Sequence, residues 1–251
     1  MDASELYDPE FRELIKSKKP TVIVPVGSLE QHGAHLPITT DSDIVTEIAS
    51  RLAKKCGFIV FPTISYGNSV EHYPFFTVTF EGNTLKQILT QITISLRENG
   101  IESIVILNGH HGNIHSMREV ERRLLRGFTN RPKTRYGKVR CYSYWHFMKH
   151  EFDHAGFVET SLMLSISDKV KMKKAKKGLI TKGMSEKEIQ RIKKLSTEAG
   201  FPQVTKNGVW GDPTSATKKD GKKFLAEIIR NLAKECQSQF CYNFKRSSCE
   251  S

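Results

Sequence analysis

The chain has 251 residues, 38% hydrophobic and 26% charged, which suits one substantial core and excludes a disordered or fibrous protein. No apolar run reaches the roughly 18 to 20 residues that cross a bilayer, and the acidic start MDASELYDPEF lacks the basic-then-apolar order of a secretory leader, so a cytoplasmic protein is expected. The formal charge of +12 invites a nucleic-acid partner, but much of it lies in one run from Lys169 through Lys177 to Lys194 without aromatic residues to stack bases, which reads as solvated surface or as an attraction for anionic substrates.

Short β-branched runs alternate with helical patterns. Residues 21–27 (TVIVPVG) predict a buried strand, and 43–55 a helix with Ile44, Ile48 and Leu52 on one stripe. A second strand is expected at 58–64, then a helix at 84–99 carrying Leu85, Ile88, Leu89, Ile92 and Leu96 and ending at Gly100. A third strand at 104–107 leads into a helix at 115–126, a fourth strand is expected at 139–145, and a last helix at 222–235. This order implies a parallel sheet with helices on both faces, in one domain spanning the chain with its core at about 20–235. The tail 241–251 is expected to fray. The five cysteines are scattered, with no CxxC pair, so neither a disulfide framework nor a thiolate zinc site is expected.

In open α/β folds, ligands bind beyond the carboxyl ends of the strands. The polar clusters fall there: GSLEQHGAHLPITTD after the first strand, YGNSVEH after the second, NGHHGN after the third and HFMKHEFDHAG soon after the fourth. Glu30 and His32 stand two apart, so an extended backbone points both side chains one way. Asp41 returns nine residues later, and its local pattern leaves helix capping and metal ligation equally open. Glycines beside the His110–His111 pair allow the tight turns that aim an imidazole inward, so His110 reads as a ligand, while His111 and Asn113 are candidates to orient substrate or support the ligands. Carboxylates mixed with histidines suit Zn²⁺, Fe²⁺ or Mn²⁺. Two such ions roughly 3.5 to 4 Å apart activate water and polarise a carbonyl, which is hydrolytic chemistry.

The blocks VPVGSLEQHGAHLPITTD, ILNGHHGN, DHAGFVETSLML and GVWGDPTSAT resemble the signature blocks of the creatininase family of metal-dependent amidohydrolases, in order and spacing, from about Pro20 to Leu232. The resemblance implies a three-layer α/β/α sandwich with a mainly parallel sheet and a dinuclear metal centre. Glu30 and His110 would hold one ion and His32 the second, with Asp41 bridging. It also implies homo-oligomers.

Two departures bear on substrate. Creatininase has a metal-binding glutamate where this chain has Gly112, so the second ion needs another ligand. Glu159 is the candidate, either as a ligand or as support for one. A tryptophan that closes over creatinine is replaced by His150. Family members with glycine in the Asn-Gly-His block include the formamide hydrolases of riboflavin and deazaflavin biosynthesis, which release formate from a formylamino-pyrimidine ribosyl phosphate, and peptidases that trim a peptide-derived cofactor. The lysine surplus favours the phosphorylated small molecule; creatinine hydrolysis and a non-catalytic nucleic-acid or anion binder are the rival readings. His154 is expected to protonate the departing nitrogen with Asp153 fixing its tautomer, unless the pair caps a helix. Ser69, Glu71 and His72 fall where family members contact substrate. Trp145 is either a substrate platform or core, and Asp212 a turn residue supporting the site or a subunit contact.

Overall fold

A computed structural model describes residues 1–126, 138–151 and 153–240. The expected frayed tail at 241–251 lies outside the described residues. The chain runs α1 (Asp8–Lys18), β1 (Thr21–Val26), β2 (Leu29–Glu30), α2 (Thr40–Cys56), β3 (Ile59–Val60), β4 (Thr77–Val78), α3 (Gly82–Glu98), β5 (Ser103–Asn108), α4 (Ile114–Arg126), β6 (Val139–Ser143), α5 (Phe157–Ile166), α6 (Glu186–Glu198) and α7 (Lys218–Phe240).

The main sheet is parallel in the order β3-β1-β5-β6. Every residue of β1 is buried, as a strand covered on both faces requires. Its alternation divides the core. Ile23, with Val105 and Leu107 of β5, packs beneath α2, α5 and α7; Val22, Val24 and Val26, with Ile104 and Ile106, pack beneath α3 and α4. The fold is thus the expected α/β/α sandwich with a mainly parallel sheet.

Differences from the sequence reading have local causes. Within the run at 58–64 only Ile59–Val60 forms a strand, and Ile64 rejoins Val26 in an isolated bridge, because Pro62 between them has no N–H for the ladder. The strand expected at 139–145 ends at Ser143, and a 3-10 turn at Tyr144–Phe147 turns Tyr144 and Trp145 into the core. Helix α5 has no amphipathic stripe because it lies between α2 and α7, buried on both sides. In the lysine-rich segment α6 forms with a capping box between Ser185 and Glu188 and buries none of its residues.

The chain goes from β1 outward to β3 and then returns to the opposite side of β1 with β5. That reversal opens a crevice at the carboxyl ends of β1 and β5, the switch point where α/β folds bind ligands. Val26 and Asn108, the last residues of the two strands, are paired there. No helix among the described residues is long and apolar enough to cross a membrane.

Candidate metal and active site

Glu30 leaves the crevice on β2, which β4 pins in antiparallel register. Asp41 sits in the first turn of α2, but its side chain does not cap the helix. Oδ1 lies 3.0 Å from His32 Nε2 and Oδ2 lies 2.9 Å from His110 Nδ1, while the Ser28 hydroxyl donates to Oδ2 at 2.7 Å. One carboxylate therefore divides its two oxygens between two imidazoles. His110 follows β5, its amide donating to the Asn108 side chain at 3.0 Å. Its Nδ1 is also 3.2 Å from Glu30 Oε1. On the other flank, Glu159 Oε2 is 3.5 Å from His32 Nε2 and accepts the Ala155 amide at 2.6 Å.

Glu30, His32, Asp41, His110 and Glu159 are all buried. Three sets of side chains bring potential ligand atoms within 4.8 Å of one another: Glu30, Asp41 and His110; His32, His154 and Glu159; and Glu30, His72 and His154. Such a cluster must balance its charge, because an unpaired buried ion costs several kcal/mol. Burial works against charge at every one of these groups, and the neighbours decide the outcome. His32 is raised to about 10 by Asp41, Glu159 and Glu30 despite burial, and His110 is raised well above the usual range by Glu30 and Asp41. Against burial, Glu30 is held low by His110 and His72, and Asp41 by His32 and His110. Glu159 goes the other way: burial, reinforced by Asp41, pushes its carboxyl well up despite His32.

Glu30 Oε2 and Glu159 Oε1 are buried without a hydrogen-bond partner, while Glu30 Oε1 meets only imidazole nitrogens, those of His72 and His110. Buried carboxylate oxygens rarely go unsatisfied. Two such atoms among imidazole nitrogens suit divalent cations of the zinc, iron or manganese type, whose oxygen and nitrogen donors these are. The residues present fit that group.

His154 turns Nδ1 to within 3.9 Å of Glu30, and its Nε2 lies 3.1 Å from the Gln31 carbonyl oxygen. Burial, with His32 and His72 nearby, lowers it well below the usual range. Asp153 corrects an expectation. Its carboxylate does not orient His154 but accepts the amides of Val158 at 2.9 Å and Glu159 at 3.3 Å, closing the start of α5. Burial raises it to about 6 despite those bonds.

His72 is buried, its Nε2 3.1 Å from Glu30. Ser69 is also fully buried, and its hydroxyl, bonded to Thr77 at 2.7 Å, braces the loop. Trp145 is 7% exposed and packs in the core, 6.1 Å from the His111 ring and nearly parallel to it. It backs the ring of His111, the residue that follows the ligand candidate His110. Asn113 ties the loops together, accepting the Asn68 amide and donating to the Gly27 carbonyl. Asp212 caps the turn at Pro213–Ser215 and pairs with Lys177 at 3.0 Å. His150 lies outside the cluster, beside Phe157 and Phe224.

Two contributors had no sequence signal. Ser28 secures Asp41, and Gln31, which strand alternation would turn away from Glu30 and His32, reaches His72, His154 and the Gly208 carbonyl, each at 3.1 Å. The late GVWG block joins the site through Trp210, whose backbone pairs with that of His154 at 2.8 and 3.0 Å.

A parallel α/β sandwich with buried carboxylates and imidazoles at its switch point defines the chain as a hydrolase of the metal-assisted type. The creatinine amidohydrolase (creatininase) family model matches residues 4–236. The mycofactocin precursor peptide peptidase of Mycolicibacterium smegmatis is 32% identical over 227 residues, covering 87% of this chain and 85% of the relative. The 2-amino-5-formylamino-6-ribosylaminopyrimidin-4(3H)-one 5'-monophosphate deformylase of Methanocaldococcus infernus is 28% identical over 221 residues, covering 85% and 89%. A creatininase crystal structure superposes with a TM-score of 0.78 at 23% identity, over 95% of this chain and 97% of that one. The chain belongs to the creatininase family, metal-dependent amidohydrolases that act on carbon–nitrogen bonds.

Proposed function

We propose that the chain hydrolyses the formamide of a phosphorylated formylamino-pyrimidine nucleoside, releasing formate. The division of Asp41 between His32 and His110 carries the hydrolytic part of this reading. In it Glu30, Asp41 and His110 would hold one divalent ion, and His32, with Asp41 and Glu159 beside it, would hold a second. Such a pair, when bound, supplies Lewis acidity to the carbonyl and lowers the pKa of water.

The protein's own groups do the remainder. His154, whose charged form burial disfavours, takes a proton at Nδ1 from the attacking water and gives it to the departing amine as the carbon–nitrogen bond breaks. Neutral His111 borders the crevice, its protonation disfavoured by burial, His110 and Lys193. Lys193 belongs to α6, which packs on the turn at Val70–His72 beside the site. It places part of the lysine surplus where a phosphate would approach, and likeness to the deformylase along most of the chain supports that substrate.

Trimming of a peptide is the second reading, favoured by likeness to the mycofactocin peptidases over 87% of the chain. Reconstitution with Zn²⁺, Fe²⁺ or Mn²⁺ followed by assay of formate release, peptide cleavage and creatinine hydrolysis separates the possibilities. Formate release without the other two activities is expected; peptide cleavage alone would replace the reading. We further propose a homo-oligomer. Tyr66, Val70, Tyr73, Phe76 and Val78 are exposed within residues 66–78, the segment that carries His72, and light scattering tests the assembly.

A further inference from the structure

Four histidines surround the centre, and three are anchored in the same way. His32 Nδ1 lies 3.1 Å from the Glu30 carbonyl oxygen, His110 Nε2 lies 3.0 Å from that of Asn68, and His154 Nε2 lies 3.1 Å from that of Gln31. A carbonyl can only accept, so the anchored nitrogen carries the hydrogen. The opposite nitrogen is then the one that offers a lone pair to an ion or takes a proton. This is the usual support of a metal-binding imidazole.

His72 is anchored differently, and the Gln31 amide decides how. Gln31 Oε1 accepts the Gly33 amide at 3.0 Å, and its Nε2 donates to the Gly208 carbonyl at 3.1 Å. Both partners are backbone groups of fixed polarity, so the amide has one orientation. Its nitrogen has one hydrogen left, with His72 Nδ1 and His154 Nε2 both 3.1 Å away. His154 Nε2 already carries a hydrogen for the Gln31 carbonyl, so only His72 Nδ1 can accept. The hydrogen of neutral His72 then sits on Nε2, the nitrogen 3.1 Å from Glu30.

We propose that Gln31 is a positioning residue that makes His72 a hydrogen-bond donor at the centre, so that the set Glu30, His72 and His154 is not a third metal site. Both His72 and His154 carry hydrogen on Nε2, yet His72 shows the centre an N–H and His154 a lone pair. Two imidazoles with centroids 4.9 Å apart thereby take opposite roles. Gly208 makes this possible: a Cβ there would fall 1.8 Å from Gln31 Oε1 and 2.8 Å from its Nε2. The GVWG block thus admits the Gln31 amide to the site.

The assignment of roles rests on the metal-hydrolase reading, but the tautomers can be measured without turnover. Nitrogen-15 spectra of histidine-labelled protein, metal-free and zinc-loaded, read them directly. Wild type is expected to show bare Nδ1 and protonated Nε2 at His72, with two zinc ions per chain. Gln31→Met should scramble the His72 tautomer while leaving that of His154, which depends on a backbone carbonyl, in place. Loss of kcat or of zinc affinity by about 10- to 100-fold is expected alongside. Gly208→Ala, which displaces the amide without removing it, should reproduce the His72 change if Gln31→Met does not fold. A bare or zinc-bound Nε2 at His72 in wild type overturns the proposal, as does an unchanged His72 spectrum in both variants. Absence of any hydrolytic activity would count against the functional reading while leaving the spectra intact.

Discussion

Glu71 lies against His110, its Oε1 3.6 Å from Nε2 on the ring edge opposite Asp41. It occupies the space a side chain on residue 112 would need. A Cβ on Gly112 would fall 2.7 Å from that oxygen, 2.6 Å from His110 Nε2 and 2.1 Å from the Asn68 carbonyl oxygen. The loop carrying Asn68 and Glu71 has closed over the glycine, and two of the three obstacles are a backbone atom and a buried imidazole. Gly112→Ala is therefore expected to destabilise the fold by about 1–3 kcal/mol through overpacking. Gly112→Glu should fail to add a metal ligand for the same reason. Urea denaturation and metal analysis of the two variants check this; a stable Gly112→Glu protein with raised metal affinity would contradict it.

Metal removal should expose a pH dependence of known sign. In the metal-free fold His32 is raised from 6.5 to about 10 by its carboxylate neighbours against burial. The folded state then binds the proton more tightly than the unfolded one. That stability is complete below about pH 6.5 and is lost as pH rises through about 10. Glu159, whose pKa is also raised, acts in the same direction. Chelator-stripped protein should show a falling Tm across this window. Metal-loaded protein should depend less on pH there, because an ion replaces the His32 proton. Parallel thermal melts decide it.

His154 and Asp153 are adjacent in sequence and separable in function. His154→Ala is expected to lower kcat by about 100- to 10,000-fold, the range for loss of a general acid–base group, with metal content unchanged. Asp153→Ala removes a helix-end acceptor and should cost about 0.5–2 kcal/mol of stability, and the displaced α5 would carry Glu159 with it. Normal turnover in His154→Ala with intact metal content would remove the proton-transfer role.

Lys193→Ala should raise KM for a phosphorylated substrate several-fold and leave kcat nearly unchanged, with the difference shrinking at high salt as an exposed charge interaction is screened. An uncharged amide should show no such response. Equal effects on both substrates would detach Lys193 from phosphate recognition.

Much of the fold was legible because its central strands are buried on both faces and must be apolar throughout, as TVIVPV is. The amphipathic helices at Thr40–Cys56 and Gly82–Glu98 follow from the same demand on one face only. Helix α5 carried no such stripe, and Pro62 shortened a strand that composition alone would extend. The placement of Glu30, His32 and His110 beyond strand ends was likewise readable, since polar residues cluster where an α/β sheet opens.

Polarity and direction within the site were decided by the tertiary structure. Asp41 is compatible with capping until Ser28, His32 and His110 converge on its two oxygens. Asp153 shows the converse, standing beside His154 in sequence while bonding to amides of α5. The amino-acid sequence by itself determined the sheet, its covering helices and the histidines and carboxylates at one edge. Only the folded chain set which oxygen meets which nitrogen, because hydrogen-bond partners such as Gly208 and Gln31 are 177 residues apart and local periodicity carries no information across that distance.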